Sequence, residues 1–312
     1  MPEPVVLKTE IPGLALFKRG KVRDVYDLGE TLLIVATDRI SCFDVVLGEG
    51  VPAKGLVLTA ISRFWFHFFG QIPNHLVSTD LCTAPGPVSR HAAELDGRSM
   101  IVHKCQVIPV EWVVRGYLTG SAWKEYRDTG KLGEHKLPAG LIDGSRLPHA
   151  ILTPTTKATV GHDRPLTLAE ATRSLAASVA QEIFDRSLEI YEHAAKYAWE
   201  KGVVLADTKL EWGLLKGKPV IVDELLTPDS SRFWDRSQYL AHELVSYDKQ
   251  FVRDYLEHVG WNKEPPPPPL PAEILERTSE KYMKLLELIA GSRTVRRDRM
   301  TERRRLTEKR RR

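Results

Sequence analysis

Residues 203–226 read VVLADTKLEWGLLKGKPVIVDELL, and their pattern decides the architecture. Asp207, Lys209 and Glu211 fall at i, i+2 and i+4, so a strand presents all three on one face and Thr208, Leu210 and Trp212 on the other. Lys216-Gly217-Lys218 is a turn, and VIVDELL is the returning strand of an antiparallel hairpin. Two carboxylates and a lysine are costly inside a core unless they meet other charges. They suit a Mg²⁺–phosphate site, because Mg²⁺ prefers carboxylate and phosphate oxygens. A solvated strand face is the plainer explanation of those three residues alone. Asp223 shifts the balance, since it interrupts an apolar run. A two-residue turn would pair Leu210 with Asp223 and put it on the wrong face, whereas a three-residue loop pairs Glu211 with Asp223 on the charged face. The odd register is the expectation, because it gathers carboxylates where a metal could sit.

Downstream, TPDSSRFW (227–234) offers the hydroxyls of Ser230 and Ser231 and the guanidinium of Arg232 in a turn, a set that suits a phosphate monoester. Upstream, EWVVRGYLTGSAWKEY (111–126) places Arg115 at the end of an apolar strand and Gly120-Ser121 at the start of a helix, whose N-terminus favours anions. Near the start, RGKVRDVY (19–26) sets Lys21 and Arg23 on either side of Val22, just after Gly20. Alternating cations beside a glycine can reach the same phosphates. Asp38, Arg39, Ser41 and Asp44 follow a strand directly and read as turn formers. Neither GxxxxGK[ST] nor GxGxxG occurs, so no P-loop or dinucleotide fingerprint is present.

The remaining segments supply the frame. LFKRGKVRDVYDLGETLLIVAT (16–37) is a hairpin or meander turning at Asp27–Glu30, and 57–69 is an apolar, aromatic helix. A strand pair over 100–118 carries the chain from a first lobe to a second. Thr167-Leu168-Ala169-Glu170 is a capping box that opens one long helix ending near Gly202. A helical region covers 236–258, five prolines (265–269) form a stiff spacer, and an amphipathic helix runs through 272–290.

Composition excludes several classes. The chain of 312 residues is 42% hydrophobic and 28% charged, with no apolar run long enough to span a bilayer. MPEPVVLKTE lacks the basic and apolar regions of a secretory signal, and three cysteines without a CxxC pair fit a reducing, cytoplasmic setting. The net charge of +4 is uneven: residues 292–312 carry +8 and the rest −4. A basic tail alone motivates a nucleic-acid reading, but the acidic body and the lack of any nucleic-acid motif oppose it.

Seven segments in order, GKVRDVYDLG, ATDRISCFDVVL, VPAKG, EWVVRGYLTGSAWKEY, TPTTKA, LADTKLEWG and VDELLTPDSSRFW, closely resemble the phosphoribosylaminoimidazole-succinocarboxamide synthase (SAICAR synthetase) family. The resemblance covers about residues 14–257 and leaves out the arginine-rich tail. It implies an α+β, two-lobed SAICAR synthetase-like fold: an antiparallel β-rich N-terminal lobe, a larger mixed α/β lobe and an ATP cleft between them, reminiscent of kinases and ATP-grasp enzymes. The expected division is 1–110, 111–291 and the tail 292–312, the last either disordered or a frayed helix. The resemblance also implies ATP-dependent condensation of 5-amino-1-(5-phosphoribosyl)imidazole-4-carboxylate (CAIR) with L-aspartate. In that picture Lys21 and Arg23 lie over the ATP phosphates and Lys157 contacts the nucleotide. Glu211 and Asp223 hold Mg²⁺, while Asp207 and Lys209 are catalytic and face the imidazole. Arg115, Ser121, Ser231 and Arg232 hold the 5′-phosphate, Asp38 and Ser41 help hold aspartate, and Arg253 reaches substrate. The expected partners are small molecules, with no membrane and no nucleic acid; the oligomeric state stays open, a monomer being favoured.

Overall fold

The computed structural model describes residues 4–82, 84, 86–157 and 163–291, so the expectation for the tail 292–312 lies outside the described residues. The chain divides into two compact units. One comprises residues up to Phe68, Leu76–Lys104 and the chain from Tyr247 onward; the other comprises Phe69–His75 and Cys105–Ser246.

The first unit opens with strands β1 (Leu16–Arg19), β2 (Arg23–Asp27), β3 (Thr31–Ala36), β4 (Arg39–Cys42) and β5 (Val45–Gly50) and helix α1 (Lys54–Phe68). Strand β6 (Leu76–Ser78), short helices α2 (Gly86–Arg90) and α3 (Ala92–Leu95) and strand β7 (Ser99–His103) follow. The second unit carries β8 (Gln106–Tyr117), α4 (Ser121–Thr129), β9 (Lys131–Leu132), β10 (His135–Lys136), β11 (Arg146–Thr156), α5 (Leu168–Thr172), α6 (Ala177–Glu200), β12 (Val203–Leu215), β13 (Lys218–Val222), β14 (Ser231–Asp235) and α7 (Arg236–Leu240). The chain then returns to the first unit for α8 (Gln250–His258) and α9 (Ala272–Ala290).

In the first unit an antiparallel sheet runs β1-β2-β3-β7-β6. Gly29, at φ 88°, makes the turn between β2 and β3, and its N–H donates to Asp27 Oδ1 (2.8 Å). Tyr26, Leu33, Val35 and Ile101 bury one sheet face with Ile11, Leu81 and Leu95. A second cluster joins Ile40, Leu47 and Val51 to Val252, Leu256 and Leu270. Burying each such side chain stabilises by about 1.5–3 kcal/mol. That contact corrects the expected division: the C-terminal helices belong with the first unit, and the boundary falls at Lys104/Cys105 rather than after residue 110. No pattern within α8 or α9 says which sheet they cover.

The second unit is an antiparallel sheet ordered β11-β8-β12-β13, in which β14 also pairs with β12. Strand β12 is thus central, bordered by β8 on one side and by β13 and β14 on the other. Its apolar face packs on α6, where Trp212 Nε1–H donates to Ser187 Oγ (3.1 Å). The Thr167–Glu170 capping box is present, with Glu170 N–H donating to Thr167 Oγ1 (3.2 Å). It opens only α5, not the single long helix expected. The chain breaks over 173–176, and the core stripe of Ile183, Ser187, Ile190, Tyr191, Ala194 and Ala198 belongs to α6.

Tyr191 crosses β8 at Gly116 and donates to the Leu205 carbonyl (2.7 Å). A Cβ at position 116 would lie 2.0 Å from the Tyr191 hydroxyl oxygen, itself fixed by that bond. Gly116→Ala is therefore expected to destabilise by about 2–4 kcal/mol in chemical denaturation. An unchanged unfolding midpoint would contradict this packing. No described helix is long and apolar enough to cross a membrane.

Candidate active site

Strand β12 is antiparallel to β8, with Asp207 opposite Arg115, Lys209 opposite Val113 and Glu211 opposite Glu111. The pleat gathers Glu111, Arg115, Asp207, Lys209 and Glu211 on one face, as the alternation predicts. Two carboxylates directly opposite each other repel, and a lysine answers each. Lys209 Nζ donates to Glu111 Oε1 (2.6 Å), and Lys157, just past β11, pairs with Glu211. Burial raises the pKa of Glu111, against the pull of Lys209. Burial would lower the pKa of Lys209, but Glu111, then Glu211 and Glu224, outweigh it and hold the ammonium above its ordinary range. Glu111 was not singled out in the sequence. Its signal was available, since it stands four residues before Arg115 and shares its strand parity.

The hairpin register differs from the expected one. Lys216 (φ 52°) and Gly217 (φ 78°) form a two-residue turn, Leu215 pairs with Lys218, and Glu211 faces Val222 rather than Asp223. Asp223 nevertheless bears on Glu211. It lies one residue beyond β13 in the left-handed region (φ 66°), which takes it out of the strand's alternation. His75 Nε2 donates to its carbonyl (3.1 Å). Burial first, and the Asp223 charge second, raise the Glu211 carboxyl, while Lys157 and Lys209 oppose them. The even register and the carboxylate pair coexist because the backbone turns over at one residue.

Toward the other end of β12, Asp207 joins two guanidinium groups. Arg115 Nη1 donates to Asp207 Oδ2 (3.2 Å) and Arg232 Nη1 to the same oxygen. Arg115 Nε also donates to Thr153 Oγ1 (2.9 Å), and its Nη2 lies 3.5 Å from Ser121 Oγ at the exposed first residue of α4. Burial pulls the Arg115 pKa down, with Asp207 opposing it. Gly120 adopts φ 58°, and a Cβ there would lie 2.5 Å from Arg232 Nη2, so the missing side chain admits the guanidinium. Arg115, Ser121, Arg232 and Asp207 thus come together. Ser231 does not join them. It begins β14 opposite Thr208, and its hydroxyl lies 2.8 Å from Thr208 Oγ1 while its N–H donates to the Thr227 carbonyl (2.8 Å). Strand alternation sends it to the helix-covered face, which corrects the expectation that it holds phosphate.

In the first unit Lys21 lies on the β1–β2 loop and pairs with Asp44, and half-buried Arg23 starts β2. Asp38 is fully buried; it accepts from Val6 N–H (2.7 Å), Gly55 N–H (2.8 Å) and Arg98 Nη1 (3.1 Å). A carboxylate fully buried and engaged by three donors from its own unit offers a ligand little, which weighs against its expected role in holding aspartate. Ser41 is half-buried on β4 opposite Val46. Arg253 lies on α8, 3.7 Å from Asp248 and 3.3 Å from Gln250 Oε1.

Among the described residues no group of three or more His, Cys, Asp and Glu is arranged to hold a metal by itself. Glu211 and Asp223 fit a divalent ion that takes the rest of its shell from substrate oxygens, since their mutual repulsion is what a dication relieves.

Paired carboxylates, lysines and two arginines joined through Asp207 are the kind of charged equipment that enzymes of anionic substrates carry. The model of the SAICAR synthetase family matches residues 16–268. A phosphoribosylaminoimidazole-succinocarboxamide synthase of Geobacter metallireducens is 49% identical over 92% of this chain and 98% of its own, and one of Thermodesulfovibrio yellowstonii is 48% identical over 92% and 99%. The solved SAICAR synthase of Saccharomyces cerevisiae, complexed with SAICAR, superposes with a TM-score of 0.80 at 39% identity, covering 92% of this chain and 98% of that one. A SAICAR synthetase in complex with ADP shares the fold at 24% identity and a TM-score of 0.65 over 88% and 97%. The chain belongs to the SAICAR synthetase family. It is accordingly an ATP-dependent carbon–nitrogen ligase of purine biosynthesis, joining CAIR and L-aspartate.

Proposed function

We propose that the charged face of β12 carries out this condensation through an acyl phosphate. The observation that carries the reading is one region of the second unit's sheet that brings together Glu211, with Asp223 just beyond β13 acting on it, two lysines and the Arg115–Asp207–Arg232 group. A carboxylate is a poor acyl donor. A CAIR carboxylate oxygen attacks the γ-phosphorus of ATP, ADP departs, and the carbonyl carbon gains phosphate as a leaving group. The aspartate amine then attacks that carbon, the C–O bond to phosphate breaks, and the nitrogen loses a proton as the amide forms. Such transfer rests on positioning and charge neutralisation, without a protein nucleophile.

Arg115, Arg232 and Ser121 hold the 5′-phosphate of CAIR, with Asp207 fixing both guanidinium groups. Lys209, held by Glu111, meets the carboxylate being activated. Lys21, Arg23 and Lys157 take the ATP phosphates. Glu211 and Asp223 would hold Mg²⁺, which supplies positive charge to the transferring phosphoryl oxygens. Ser41 and Arg253 stay as candidates for aspartate and substrate contact. The setting we assign is cytoplasmic, and every residue named comes from a single chain.

The test uses CAIR labelled with ¹⁸O in its carboxylate. The acyl phosphate requires one labelled oxygen to leave with inorganic phosphate, in amounts that match the succinocarboxamide formed. Unlabelled phosphate would rule the intermediate out. Arg232→Ala should raise the KM for CAIR by about 30-fold, from the loss of a charge-assisted bond, with the KM for ATP unchanged. Asp207 keeps Arg115 as a partner, so the variant stays folded. Equal losses for both substrates would contradict the assignment.

A further inference from the structure

We infer that Arg39, assisted by Thr37, is a positioning residue for the nucleotide loop: it ties successive loop carbonyls to one side so that backbone N–H groups and the Lys21 ammonium serve the triphosphate. The inference rests on the reading that loop 20–23 takes the ATP phosphates.

The loop closes the β1–β2 hairpin, in which Arg19 pairs with Asp24. Arg39 Nη2 donates to the Gly20 carbonyl (3.0 Å) and Nε to the Lys21 carbonyl (3.0 Å). The Thr37 backbone N–H (3.0 Å) and hydroxyl (2.8 Å) both donate to the Val22 carbonyl. Three consecutive carbonyls are therefore held by one short stretch of chain. In a trans peptide the C=O and the following N–H point in opposite directions. Each tethered carbonyl thus turns the next N–H, of Lys21, Val22 and Arg23, away from Arg39. A loop presenting carbonyl oxygens repels a polyphosphate, whereas one presenting N–H groups attracts it.

Arg39 commits four of its five N–H donors to the chain itself. Nη1 donates to the Leu7 carbonyl (2.5 Å) and Nη2 also to Asp24 Oδ1 (2.9 Å). Asp24 is itself fully buried and accepts from Thr9 N–H (2.8 Å). The guanidinium is 9% exposed at the residue level and spans four acceptors, a geometry a lysine cannot copy with one ammonium. Buried and engaged by the chain itself, Arg39 acts on nucleotide through the loop.

The experiment compares Arg39→Lys and Thr37→Val with Lys21→Ala and Arg23→Ala, measuring KM for ATP, KM for CAIR, kcat at saturating ATP and the thermal midpoint. Arg39→Lys should raise the ATP KM about 30-fold and Thr37→Val about threefold, with CAIR KM and saturated kcat within about twofold of the parent. Thr37→Val is nearly isosteric and decides the matter if Arg39→Lys does not fold. An unchanged ATP KM in folded Arg39→Lys and Thr37→Val, alongside raised values in the Lys21 and Arg23 variants, overturns the inference. A loss shared equally by ATP and CAIR overturns it as well, because it marks general damage. Unchanged ATP KM in the Lys21 and Arg23 variants instead removes the reading of the loop, and the inference with it.

Discussion

Asp223→Asn should reduce turnover at saturating substrates by about three orders of magnitude while the protein stays folded. Asparagine is the non-glycine side chain that best tolerates the left-handed φ of 66° at this position, so the backbone has no reason to move. The bond from His75 goes to the carbonyl of residue 223 and survives the change. What disappears is one of the two charges proposed to hold Mg²⁺, together with the repulsion that lifts Glu211. A carboxyl with a raised pKa in the folded state contributes stability below its unfolded pKa and loses it as pH rises through the folded value. Relieving Glu211 should therefore make the ligand-free variant as stable as the parent, or more so, at neutral pH. Steady-state rates across a Mg²⁺ titration, with thermal melts, check both halves. Near-parental turnover would remove Asp223 from the site.

Lys209→Met should be almost as damaging to turnover, by about two to three orders of magnitude, since it deletes the cation proposed to meet the carboxylate to be activated. It also leaves Glu111 buried without its partner. The Glu111 pKa, already raised by burial, then rises further. By the same sign rule the variant is most stable at acid pH and loses stability as pH climbs through the new Glu111 value. Adding Glu111→Gln should restore stability at neutral pH and flatten its pH dependence without restoring activity. Recovery of turnover in the double variant would mean that Lys209 acts only as a counter-ion. Urea denaturation at several pH values and initial rates on both variants separate the outcomes.

The charged face of β12 was legible because alternation is a local property: Asp207, Lys209 and Glu211 must share a side wherever the strand lies. Helices α1, α4 and α9 were legible for the same reason, from apolar spacing and the Gly120-Ser121 start. What stayed hidden depends on distant partners or on single backbone angles. Nothing in VIVDELL announces that Asp223 leaves the strand with positive φ, so the sound aim of gathering carboxylates led to the wrong register. Ser231 depends on where β14 begins against a bulged β12, which the run SSR does not encode. Asp38 looked like a turn former with a free carboxylate, yet Val6, Gly55 and Arg98 enclose it. Family resemblance supplied the substrates, whose identity no spacing could give.

The strip Phe69–His75 gives the second unit an unusual route to completion. Every buried residue of β13 is apolar, on both of its faces, so burial alone would tolerate a slipped strand. Bonds from Ile221 N–H to the Pro73 carbonyl (3.0 Å) and from His75 N–H to the Ile221 carbonyl (3.0 Å) fix its edge, and His75 holds residue 223 from 148 positions away. During synthesis this seven-residue segment emerges long before the hairpin it must border, and the first unit's strand β7 is threaded in between. Contacts of such sequence separation form late and slowly. A contiguous fragment spanning Cys105–Ser246 would lack the strip and, with it, the His75 bond to the backbone carbonyl of residue 223. The second unit is thus no single contiguous stretch of the gene.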